Sequence, residues 1–159
     1  MMMRESRRPA GGRRRPLVTL GLLVVGVLLL NGSGRAQPTS AMRDVARGEQ
    51  SNIESARQAV SRTAAQFNTV WKDHDWDKPA PAVDFAKEMV VSVFLGTQQS
   101  AGVSVRIVDV AARPGGGVVV RYRVTRPGAS QVSAQVLTFP FHIVAVPAQD
   151  GPYTFEQVP

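Results

Sequence analysis

A mainly β fold, a small antiparallel sheet or sandwich of about six strands with one covering α-helix, is predicted by three observations. Residues after 88 alternate apolar with polar or run apolar in strand-length stretches. Glycine and proline clusters interrupt those stretches at hairpin spacing. One stretch alone, residues 63–74, has the helical period. The elements follow in order. Residues 57–62 pair as a first, modest strand with little beyond Val60 to bury. Thr63-Ala64-Ala65-Gln66 has the form of a capping box, in which the threonine oxygen takes an orphan amide and the glutamine reaches back. Phe67, Val70 and Trp71 then make one apolar stripe, and Pro79 and Pro81 require the helix to end near residues 74–76. Residues 89–95 are apolar apart from Ser92 and stop at Gly96, as a strand buried on both faces does. Val103, Val105 and Ile107 alternate with Ser104 and Arg106, but Val108 and Val110 shift the phase, which predicts a bulge near Ile107. Gly115-Gly116-Gly117 makes the hairpin turn. On the return strand Val118, Val120, Tyr122 and Val124 face one way, until Pro127-Gly128 ends it. A further strand is expected over residues 133–139, broken at Pro140 and resumed over 141–146; Asp150-Gly151-Pro152 turns the chain, and residues 153–158 close the sheet.

The amino end reads differently. Six arginines precede Leu17, residues 17–30 are uncharged and apolar, and Gly34 and Ala36 stand at the −3 and −1 positions of a cut before Gln37. Basic head, apolar middle and small-residue exit make residues 1–36 a signal peptide. The alternative is an uncleaved anchor over residues 17–30, but 14 residues span about 21 Å against roughly 30 Å of hydrocarbon. Both readings put the remainder outside the cytoplasm. The first predicts a periplasmic or secreted domain; the second predicts one held at the inner membrane, touching it only through that segment. Arg14-Arg15 loosely fits a twin-arginine signal. Residues 37–50 are polar and aperiodic, a flexible linker, which leaves residues 51–159 as one β-rich domain.

Charge excludes one class of function. The chain carries net +7, yet residues 1–36 hold seven arginines against Glu5 and account for +6 of it. The remaining +1 supplies no excess charge to neutralise phosphates, so nucleic acid is not an expected partner.

Chemistry-bearing residues are few. The chain has no cysteine, hence no thiol nucleophile and no disulfide. It has neither a Gly-x-Ser-x-Gly elbow nor a His-Glu-x-x-His helix, and no cofactor is expected. His74 and His142 are its two histidines; His142 is a possible general base for a hydrolase, without a marked serine partner. Asp73, Asp75 and Asp77, with Asp84 eleven residues after Asp73, place carboxylates at positions 1, 3, 5 and 12 of a calcium-type loop. Lys78 and Pro79 sit where such a loop needs a sharp glycine turn, so a solvated helix end competes with a metal site. Arg121, Arg123 and Arg126 with Arg106 suggest a basic stripe across two strands, the competing reading being the ordinary wet face of a sheet. Trp71 and Trp76 read as core and turn residues.

Four segments resemble the PrcB C-terminal domain family: residues 48–53 (Gly-Glu-Gln-Ser-Asn-Ile), the helix end at 70–74 (Val-Trp-Lys-Asp-His), residues 83–96 with Asp84-Phe85 leading into the apolar strand and glycine, and residues 137–144 around Pro140. The resemblance runs in order from about residue 47 to the end. The family takes its name from a subunit of a spirochaete surface protease complex, which implies an accessory or protein-binding module rather than a catalyst, with an exported protease or another envelope protein as its partner. The family pattern usually reads Thr-Gly-Gly-Tyr where this chain has Ser100-Ala101-Gly102-Val103. If that loop is the contact surface, loss of the tyrosine alters it; if the motif only shapes a strand entry, Val103 turns into the core.

Overall fold

A computed structural model describes residues 42–128 and 134–159. Residues 1–36, expected to be a signal peptide, the alternative anchor at 17–30 and the start of the linker lie outside the described residues. Among the described residues no helix is long and apolar enough to cross a membrane.

Seven strands and one helix follow in chain order: β1 (Arg43–Gly48), β2 (Arg57–Ser61), α1 (Ala64–His74), β3 (Glu88–Phe94), β4 (Ser104–Ala112), β5 (Val118–Thr125), β6 (Phe141–Pro147) and β7 (Tyr153–Val158). They form a four-stranded sheet ordered β1-β6-β3-β2 and a three-stranded sheet ordered β4-β5-β7. The predicted mainly β class is what the molecule has.

Strands β3 and β6 run down the middle of the larger sheet, paired antiparallel from Glu88↔Pro147 to Phe94↔Phe141. Both are buried on both faces, as their nearly unbroken apolar sequences require. Met89, Val91, Val93, Val144 and Val146 face the second sheet, where Val105, Ile107, Val110, Val118 and Val120 meet them. Val90, Phe94, Phe141 and Ile143 point to the opposite side and are covered by Phe67, Val70 and Trp71 of α1. The molecule therefore has helix, sheet and sheet layers, with β3 and β6 shared by two cores.

Local chemistry fixes the helix. The Thr63 hydroxyl accepts from the Gln66 amide at 3.3 Å, and the Gln66 side chain accepts from the Arg62 amide at 2.8 Å, one residue upstream of the usual capping-box partner. The Asp75 amide closes the last turn on Trp71 O. At the far end of β3, Gly96 has φ +69°, and a Cβ there would stand 2.6 Å from Glu54 O and 2.7 Å from Ala56 N. Both are backbone atoms, so only glycine lets β3 pass the start of β2.

Three expectations are corrected. Residues 43–48, assigned to the linker, form β1 and pair with β6 from Arg43↔Ala145 to Gly48↔Phe141. An edge strand with largely exposed residues has no apolar alternation to show in its sequence. Residues 134–139 are not a strand; their pairing is the single bridge Gln98↔Thr138, and residue 133 lies outside the described residues. Last, β7 closes the smaller sheet parallel to β5, not antiparallel. The chain leaves β6 in the other sheet and turns at Gly151, and Val118 N donates to Pro152 O at 2.9 Å where β7 arrives. The predicted bulge is present: Ile107 pairs with Tyr122 and Asp109 with Arg121, leaving Val108 as the extra residue.

Candidate functional site

His142 projects from β6 toward the second sheet and is fully buried. Its Nδ1 accepts from the Ile107 amide beside the bulge of β4 at 2.8 Å, while Nε2 lies 3.0 Å from Asp44 Oδ1 beside a second bulge in β1. A backbone amide only donates, so Nδ1 carries no proton and Nε2–H donates to the carboxylate. Burial lowers the His142 pKa below the usual histidine value, and Asp44 pulls it partly back. The ring is thus a neutral strut between the two sheets. Both its nitrogens are spent, and the hydrolase reading, which needed a free nitrogen to take a proton, finds none here. The histidine does touch a carboxylate, a contact the sequence could not disclose because Asp44 lies 98 residues away.

His74, on the other side of the larger sheet, is also buried. Its Nδ1 lies 2.9 Å from Ser51 Oγ, and its ring packs on Phe141, Trp71 and Phe94 with centroids 4.1, 5.2 and 5.7 Å away. Burial lowers its pKa too.

The aspartates do not assemble. Asp73 pairs with Arg57 at 2.7 Å and Asp75 with Lys78 at 2.8 Å. Lys78 holds the Asp75 carboxyl below its ordinary value. Asp84 accepts from the Ala86 amide at 3.1 Å, a turn cap leading into β3, and lies 3.4 Å from Lys87. Arg57, Lys78 and Lys87 thus each engage one of the carboxylates that a calcium loop would have to gather. Among the described residues no three metal-ligating side chains come together. Trp76 stands 73% exposed at the turn, whereas Trp71 is buried and donates to Lys78 O at 2.9 Å.

The basic stripe is interrupted. Arg121 is 2.7 Å from Asp109 and 3.7 Å from Glu156, and Arg126 donates to the Gln98 side chain. Arg123 remains on the outer face directly opposite Arg106, its Nε donating to Pro159 O.

The loop before β4 is built as a surface feature. Val103 is buried, so this position serves the core. Gly102, exposed at φ +82°, turns the chain so that Ser100 and Ala101 lie half-exposed beside residues 134–138. Ala101 N donates to Ala134 O at 3.0 Å, and the Thr138 hydroxyl donates to Ser100 O at 3.2 Å. These bonds hold Val136 and Leu137 with 48% and 59% of their surface exposed. Two apolar side chains are thus presented to solvent on a backbone held by hydrogen bonds. Sequence reasoning found the loop but not its apolar neighbour, which sits in a stretch that reads as a strand.

Residues 89–147, from β3 through β6, match the family model described as PrcB C-terminal, in agreement with the resemblance read from the sequence. The matched stretch contains the loop, the apolar pair and His142. Comparison with curated proteins and with solved structures found no match.

Proposed function

We propose, with the PrcB C-terminal match of residues 89–147 as premise, that this chain is a non-enzymatic protein-binding module acting outside the cytoplasm. Its partner is an exported protease or another envelope protein, to which it is an accessory or inhibitory subunit. The observation that carries the binding reading is the exposed pair Val136 and Leu137, braced on the Ser100–Gly102 loop by backbone and threonine hydrogen bonds. Both histidines serve the framework, which favours a binding over a catalytic role. The amino-terminal pattern of residues 1–36 supports the location.

The full chain used as bait in its native envelope should retain a specific partner. Leu137→Asp should release that partner while leaving the melting temperature unchanged, because residue 137 is exposed. A correctly folded bait that retains nothing specific, or a Leu137→Asp chain that binds its partner equally well, contradicts the proposal.

A further inference from the structure

On the rim of the sandwich the end of β1 and the start of β4 border a cleft of about 540 Å3, lined by Arg47, Glu49, Ser104, Arg106, Arg123 and Thr125. We infer that this cleft binds a small polyanion, held by Arg47, Arg106 and Arg123. The inference goes beyond the partner-binding reading and does not rest on Leu137.

Among the described residues the arginines differ in their partners. Arg43, Arg57, Arg113 and Arg121 each have a carboxylate within 2.9 Å. The three that line the cleft have no Asp or Glu that close, and neither do Arg62 and Arg126, which lie outside it and donate to Gly151 O and Gln98 Oε1. Among the described residues the Arg106 side chain makes no hydrogen bond or ion pair. Arg123 donates its Nε to Pro159 O. Arg47 reaches only to 3.8 Å from Asp44, whose other oxygen is bound to His142. Glu49, the one carboxylate in the lining, forms an ion pair with none of them.

Arg106 and Arg123 are also direct cross-strand partners in the β4–β5 ladder. Like charges in that position repel, and an anion shared between them turns the repulsion into attraction. A guanidinium offers a planar fork of donors matched to carboxylate and phosphate oxygens, and the Ser104 and Thr125 hydroxyls flank the pair. The volume lies within the range of small-ligand sites. Carboxylate and phosphate groups share this chemistry, so two probes separate them.

Titration calorimetry of the full chain at low salt, with citrate and with pyrophosphate, tests the inference. One site per chain is expected for at least one probe. Affinity should fall about tenfold or more in Arg106→Gln and in Arg123→Gln, as loss of a charge-assisted hydrogen bond implies, and also with added salt. Arg113→Gln and Leu137→Asp should bind as the parent does, the latter even where it loses its protein partner. Because Arg106→Gln removes a repulsion, it should melt no lower than the parent at low salt, so lost binding is not lost folding. Binding of citrate alone identifies carboxylates, of pyrophosphate alone phosphates, and of both a site that reads charge. Absence of binding by either probe, or equal affinity across the arginine variants, overturns the inference.

Discussion

The two faces of the larger sheet are built from different materials. Toward α1 lie rings: Phe67, Trp71, His74, Phe94 and Phe141, with the Phe67 and Trp71 centroids 5.7 Å apart in edge-to-face contact. Toward the second sheet the packing is mostly valine, with Met89 and Ile107. Under the helix a few large side chains fill the space, whereas the two sheets interdigitate through many short β-branched ones. Each face buries one histidine by its own means. His74 is accommodated as one more ring in an aromatic cluster, while His142 is tied by directed hydrogen bonds to two strands. Stability on the helix side is therefore expected to depend on volume, and on the other side also on polar satisfaction.

The largest effect should come from the aromatic face. Phe94→Ala is expected to cost about 3–5 kcal/mol in urea denaturation, against about 2 kcal/mol for Val146→Ala on the aliphatic face. A cost below about 1 kcal/mol for Phe94→Ala would mean that the helix layer is not part of the core. Replacement of the histidines sharpens the second half of the comparison. His142→Leu strands the buried Ile107 amide and should lose about 1–3 kcal/mol. His74→Leu should lose less, because Ser51 Oγ still accepts from Ile53 N. Equal losses would erase the distinction between the two faces. Smaller again is Thr63→Ala, expected to cost about 1 kcal/mol by uncapping the helix that carries the aromatic layer.

The sequence disclosed what is local or periodic. Thr63 and Gln66 announced the helix start, the run 89–95 announced a strand with two covered faces, and the phase slip after Ile107 announced the bulge. What it concealed depends on long-range pairing. β1 has no apolar pattern, since it needs only one edge of β6; β7 is parallel because of where the chain crosses, not because of its residues. The same reason hid most of the proposed functional surface. The cleft joins Arg47 to Arg106 and Arg123 across sheets, and the sequence offered the two strand arginines as part of a stripe that Asp109 and Glu156 interrupt. The loop at 100–103 was legible as a departure in a motif, whereas the apolar pair beside it required the Gln98↔Thr138 bridge.

Both histidines have folded pKa values lowered by burial. Their contribution to stability is complete above the unfolded value of about 6.5 and is lost as pH falls from there toward the folded values, because the unfolded chain takes up the protons first. The claim that His142 is framework rather than a catalytic base is tested most directly by its ring nitrogens. In long-range 1H–15N NMR spectra of the labelled full chain, a framework His142 is expected as a neutral ring protonated at Nε2, with Nδ1 remaining unprotonated as pH is lowered through 6.5. A ring protonated at Nδ1 at neutral pH, or one that becomes doubly protonated above pH 6.5, would contradict it.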